Sequence, residues 1–80
     1  MGLIRTEFSQ ANLANANFQG AALAHANFAF AKLSRANFSA ADLSGADFTG
    51  ADLTDADLTG ANTTDANFAH AVLTGVKGYR

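Results

Sequence analysis

The side chains that could do chemistry are few, and none of them converge. His25 and His70 are the two histidines. Both hold the last position of a five-residue unit described below, on different sides and at different levels of the fold it implies. Ligands of one metal ion lie about 2 Å from it, so this pair does not make a site. Asp52, Asp55 and Asp57 suggest calcium. A calcium loop of the EF-hand type wants acids at alternate positions and a following Gly, and the spacing of these three acids does not match it. Solvated surface is the better account. Ser and Thr are frequent, but no nucleophile elbow surrounds any of them, and no phosphate-binding Gly loop is present. Cys is absent, which removes disulfides and thiolate metal sites. No catalytic residue, no cofactor site and no metal site is expected, and the chain reads as a non-enzyme.

Other motif matches have one origin. Asn37-Phe38-Ser39 and Asn62-Thr63-Thr64 match the glycosylation acceptor. Ser39-x-x-Asp42, Ser44-x-x-Asp47 and Thr49-x-x-Asp52 mimic helix capping boxes. These strings recur because the whole chain recurs.

Eighty residues make one small domain, which needs a staple or an unusually regular core. The net charge is -2 and the isoelectric point about 5.4. Direct nucleic-acid binding is not expected, because it needs a surplus of Lys and Arg. The stretch from Phe8 to Ala31 carries no formal charge, but Asn12, Asn15, Asn17, Gln19 and Asn27 would strand their amides in a bilayer, so no membrane span is expected. The start, Met1-Gly2-Leu3-Ile4-Arg5, lacks the apolar run of a signal peptide. A cytoplasmic location is the expectation on that ground.

The elements that would position any site follow from a period of five. Phe8, Leu13, Phe18, Leu23, Phe28, Leu33, Phe38, Leu43, Phe48, Leu53, Leu58, Phe68 and Leu73 keep that spacing. Ala precedes nearly every one by two residues. Asn or Asp usually lies between them, and Ser or Thr often follows. In an α-helix five residues advance about 500°, which scatters the large residues round the cylinder. In a straight strand residues five apart point to opposite faces. The pattern works only if the chain turns a corner within every unit. The order of Phe and Leu then predicts which units stack. With four units per coil, residue n stacks on n+20, and Phe8, Phe28, Phe48 and Phe68 form one column. Leu13, Leu33, Leu53 and Leu73 form the next. Phe18, Phe38 and Leu58 make the third, and Leu23, Leu43 and Thr63 the fourth. Phe columns then face each other, as do Leu columns.

The unit A-(N/D)-(L/F)-(S/T)-x, as in Ala41-Asp42-Leu43-Ser44-Gly45 and Ala51-Asp52-Leu53-Thr54-Asp55, resembles the pentapeptide-repeat family. The match runs from about Thr6 to Gly75. The resemblance implies an all-β fold, a right-handed quadrilateral β-helix, with the central Leu or Phe and the preceding Ala inside. About four coils are expected. The whole chain, 1–80, is read as one domain, with repeats over about 6–75, an N-terminal cap at 1–5 and a C-terminal cap at 76–80. Leu3 keeps the central phase and Ile4 helps cover the first coil.

The ends and one corner are the candidate contacts. Gly78 takes a central position where Leu or Phe belongs, and Tyr79 is placed to fold over the open core. That end is expected either to be capped by Tyr79 or to form a homodimer through the open coil. Phe30 takes the outward fifth position, where other units have small or polar residues, and is read as a partner contact, since aromatics are favoured anchors. Stacking also predicts surface pairs of Lys32 with Asp52 and of Arg35 with Asp55, each worth about 0–1 kcal/mol.

Three functions are consistent with this frame. A rigid repeat surface suits a structural or protein-interaction module with a protein partner. Some members of the family that the chain resembles mimic duplex DNA and bind DNA gyrase. Asp42, Asp47, Asp52 and Asp57 ring one coil instead of lining one side, which fits that role poorly. The regularity of residues 41–62 also admits a repeat segment with no function of its own.

Overall fold

One pentad, Ala46–Gly50, explains the architecture of the computed structural model, which describes residues 6–79. Ala46 N–H donates to the Leu43 carbonyl at 3.0 Å and closes a turn. Asp47 N–H donates to Ala26 O at 2.9 Å, one coil earlier. Phe48 N–H donates to Asn67 O at 2.7 Å, and Gly50 N–H to Ala69 O at 2.9 Å, both one coil later. Thr49 N–H donates to the side chain of Asp47 at 2.9 Å. All five donors of the unit are therefore satisfied, as buried or half-buried backbone requires.

The register is uniform. Eleven parallel bridges join residue n to residue n+20, from Glu7 with Asn27 to Asp57 with Lys77. A twenty-residue coil is thus four pentads, as the Phe and Leu columns predict. Each pentad contributes a single bridge residue, the one at the Asn/Asp position. The next residues already turn, so the bridges stay isolated and never lengthen into strands. The solenoid is held by parallel ladder contacts one residue long.

Inside, the columns form as expected. Ala26 through Leu58 supply the fully buried centre, including Phe28, Leu33, Phe38, Leu43, Phe48, Leu53 and Leu58. Ala is the inward companion because two residues back on an extended chain point the same way. A larger side chain there would collide with the central column. Phe28 and Phe48 stack with centroids 4.9 Å apart and planes 2° from parallel. Phe48 and Phe68 repeat this at 5.1 Å and 3°, and Phe18 and Phe38 at 5.1 Å and 7°. The two Phe columns meet edge-on across the core, as Phe28 and Phe38 do at 5.5 Å and 84°. Both offset stacking and edge contact suit the ring quadrupole.

Toward the ends burial falls off. Phe8, Leu13 and Phe18 at one end, and Phe68, Leu73 and Val76 at the other, are only partly covered. Thr63, in the column of Leu23 and Leu43, is half-buried. The expected cap at 1–5, with Leu3 and Ile4, lies outside the described residues. So does Arg80.

Phe48→Ala should cost about 3–5 kcal/mol, as full truncation of a buried Phe does. Phe68→Ala should cost roughly half as much, because its ring is already partly in water. Denaturant unfolding of the two variants measures the difference.

Candidate functional site

Every outward corner has the same backbone. From Gln10 to Gly75, each fifth residue has φ between 58° and 71°. This is the left-handed region, and with the turn bond from Ala N–H to the preceding Leu or Phe carbonyl it marks a type II turn. Gly holds this corner at positions 20, 45, 50, 60 and 75, while nine other corners carry a side chain. For most of those the conformation costs about 1–2 kcal/mol.

Phe30 is the least suited of them, a bulky aromatic at φ 59°. It is 61% exposed. The ring does not project freely. It lies along the next coil over Gly50, where a Cβ would fall 2.5 Å from Phe30 Cδ1. His25 likewise lies over Gly45, where a Cβ would fall 2.5 Å from its Nδ1. Phe30 and His25 thus each lie over a glycine one coil later, a pairing the sequence contains as Phe30/Gly50 and His25/Gly45. Reading corners at n and n+20 together would have found it. His25 and His70 stay on separate corner columns, as expected from the register.

The Asn/Asp position turns out to be part of the backbone. Its Oδ1 accepts from the N–H two residues on, at 2.9 Å in Asn37 to Ser39 and 3.0 Å in Asp52 to Thr54. Where Ser or Thr follows, its hydroxyl donates to the same oxygen, at 2.7 Å from Ser39 and 2.6 Å from Thr54. This is an Asx turn that takes up the one N–H the ladder leaves over. Asp42, Asp52 and Asp57 therefore belong to turns, whatever else they contact. Ala22, Lys32 and Val72 lack a side-chain oxygen, so their pentads forgo this bond.

These bonds lower carboxylate pKa values. At Asp42 the Ser44 hydroxyl is the main cause, then the Ser44 amide, with a smaller contribution from His25. At Asp52 the Thr54 hydroxyl and amide act in the same order. Hydrogen bonding by Thr59 does the same at Asp57. Hydrogen bonds to the charged form are the direct reason.

The side formed by Leu13, Leu33, Leu53 and Leu73 carries the most ordered charge. Lys32 and Arg35 lie at one level and Asp52 and Asp55 one coil above. Lys32 and Asp52 are backbone bridge partners in the ladder, but the expected ion pair between their side chains does not form. Arg35 departs from expectation: its Nε donates downward to Asn15 Oδ1 at 2.9 Å. Asp55 meanwhile leans over Gly75. Val72, which the sequence reading did not single out, is 46% exposed on this side.

At the C-terminal end Tyr79 meets Phe68 edge-on, with centroids 5.0 Å apart at 72°. The ring crosses over the last Phe column and remains 43% exposed. Gly78 is not a vacant core position. It has φ 77°, and a Cβ there would fall 2.6 Å from the Thr59 backbone. The chain has left the core register by this point, and only Gly fits the approach.

Among the described residues no pocket opens into the core. No three His, Cys, Asp or Glu side chains among them come together for a metal. No helix among them is long and apolar enough to cross a membrane.

Stability should fall in acid with a predictable sign. Folded carboxylates with lowered pKa values contribute fully above the unfolded value of about 3.9 and lose that contribution as pH drops through the folded value. Thermal unfolding should therefore weaken below about pH 4. Asp52→Asn keeps the acceptor oxygen and should flatten part of the decline. Asp52→Ala removes the acceptor and should cost about 0.5–2 kcal/mol at neutral pH, by analogy with a lost cap.

Comparison with known proteins agrees with this geometry. The family model for pentapeptide repeats matches eight copies, over residues 3–28, 22–60 and 51–77. No curated protein sequence matches the chain. Among solved structures, alr5209, a pentapeptide repeat protein from Nostoc PCC 7120, is 39% identical with a TM-score of 0.53, covering 90% of this chain and 64% of its own. The pentapeptide repeat protein Rfr23 from the cyanobacterium Cyanothece 51142 is 31% identical with a TM-score of 0.46, covering 89% and 58%. HetL from Nostoc sp. strain PCC 7120, involved in heterocyst differentiation regulation, is 28% identical with a TM-score of 0.47, covering 92% and 47%. The chain thus spans about two thirds or less of each of these proteins. With the repeat matched over most of its length and the same five-residue register in its fold, the chain belongs to the pentapeptide-repeat family.

Proposed function

We propose that the chain is a right-handed quadrilateral β-helix of about four coils that serves as a non-catalytic protein-interaction module. The twenty-residue register and the turn in every pentad support the four-sided form. The observation that carries the function is Phe30. A large apolar ring, 61% exposed, is kept at a left-handed corner where Gly would relieve strain. Strained conformations concentrate at functional positions because something other than stability retains them. An aromatic on a rigid support also suits a partner's pocket, since little order is lost on binding.

The arrangement of acids argues against a DNA-like surface. Along one side the ladder positions run Asn12, Lys32, Asp52, Val72, and along another Asn17, Asn37, Asp57, Lys77. Each of these two columns sets one carboxylate among neutral and basic neighbours, and in the column Glu7, Asn27, Asp47, Asn67 the two carboxylates are separated by Asn27.

Phe30→Gly tests the reading without threatening the fold, because Gly suits the corner. Affinity capture with the wild-type chain should retain a stoichiometric protein that the variant releases, with affinity falling at least about tenfold as for an aromatic hot spot. Equal capture by both would reject Phe30 as the contact. No stoichiometric partner for either would leave the chain as an inert repeat segment.

A further inference from the structure

We infer that the Leu13–Leu73 side is a self-complementary surface on which a second copy of this chain docks antiparallel. Among the described residues the basic side chains are Lys32, Arg35 and Lys77. Two of those three share one level of this side. Asp52 and Asp55 sit one coil above, in the same two columns. The side is therefore a two-by-two block, positive below and negative above.

Such a block selects its own partner orientation. Take a two-fold axis lying in the side, along the chain direction, midway between the two levels. It exchanges the levels and preserves the columns. Lys32 then faces the second copy's Asp52, and Arg35 faces its Asp55. Symmetry repeats both pairs, as an isologous interface must. The alternative axis, along the solenoid, preserves levels and exchanges columns. Lys32 would then face Arg35 and Asp52 would face Asp55, like against like. One orientation is attractive and the other repulsive, which gives register as well as attraction.

The rest of the side permits close approach. Between the charged columns run Ala14, Ser34, Thr54 and Thr74, none larger than Thr. Lys32, Arg35 and Asp55 are exposed and Asp52 is partly so. Arg35 uses Nε for Asn15, which pins the guanidinium to the side and leaves its terminal nitrogens as donors. Asp52 gives Oδ1 to Thr54, which holds the carboxylate in place with Oδ2 as a second acceptor. Two of the four charges, Arg35 and Asp52, are thereby pre-positioned.

The extents of the molecule, 33 × 24 × 20 Å, set the strength. One side cannot bury more than roughly the 800 Å² per partner of a standard stable complex. The association is a weak, charge-driven one, governed by salt. It needs no contact from Phe30, which belongs to the neighbouring corner column.

Dilution series by sedimentation equilibrium and amide NMR of the whole chain test it. At about 0.01 M salt the chain should self-associate, with concentration-dependent shifts on the residue 32–35 and 52–55 segments. At about 1 M salt, where the screening length shrinks about tenfold, it should be monomeric. D52N/D55N keeps the Asx oxygen and an Asn-tolerant corner, so it should fold normally yet stay monomeric. K32Q/R35N should do the same. Mixing the two variants should restore part of the association, because each supplies the charge the other lacks. A monomer at every concentration in low salt overturns the inference. So does association that survives in either variant alone, which would place the contact elsewhere, for example at the Tyr79 end. Thermal unfolding of both variants separates loss of docking from loss of fold.

Discussion

Everything in this structure depends on a left-handed residue at every fifth position. A chain of L-residues resists that conformation, yet fourteen successive corners from Gln10 to Gly75 adopt it. Once the corner is made, the preceding carbonyl is fixed by the next Ala N–H, and the chain leaves in a new direction. The extended part of the pentad is then too short for more than one ladder residue. Ala and the central Leu or Phe are both turned inward, two apart. Core, ladder and surface follow from the same local event. The compensation is spread evenly, because coil-to-coil bonds, Asx turns and stacked rings recur in every unit. Small and polar corners need no further justification, and the bulky aromatic at Phe30 is the exception.

That distribution explains what could be read in the sequence and what could not. The columns were legible because Phe and Leu differ in size and alternate, so only a twenty-residue coil keeps like with like. Burial was legible for the same reason. The left-handed corner was not, since nine of its fourteen occupants are not Gly and residues such as Arg35 or His25 give no hint of φ. The Asx turn was visible only as a frequent Asn or Asp. Its role emerges from counting donors: the ladder and turn take four N–H groups and leave one. Arg35 escaped prediction because stacking offers a side chain two neighbours, one coil above and one below. Charge favoured Asp55, but Asn15 lies within reach of Nε at 2.9 Å. Gly78 was misread for a related reason, because the period was extended one unit past the point where the backbone abandons it.

Rigid satisfaction of the backbone also determines where function can reside. Inward positions are committed to Ala, Leu and Phe. The Asn/Asp oxygens and the following hydroxyls are committed to turns. What remains free is the corner side chain and the outer part of the ladder residue. These positions repeat at a fixed spacing on a support with little freedom to lose. A surface of that kind suits recognition by placement more than by adaptation.

The choice between an end and a side as the contact turns on how each is already occupied. At the C-terminal end Tyr79 has laid its ring across Phe68, and Gly78 has brought the chain against Thr59. A partner docking there must first displace these contacts or build on a mixed surface. The Leu13–Leu73 side needs no such rearrangement. Its small central residues are already flat, Arg35 is tied by one hydrogen bond and Asp52 by two, and a full block of charge faces outward. Association at a side costs less order, so modest electrostatic attraction is enough to favour it.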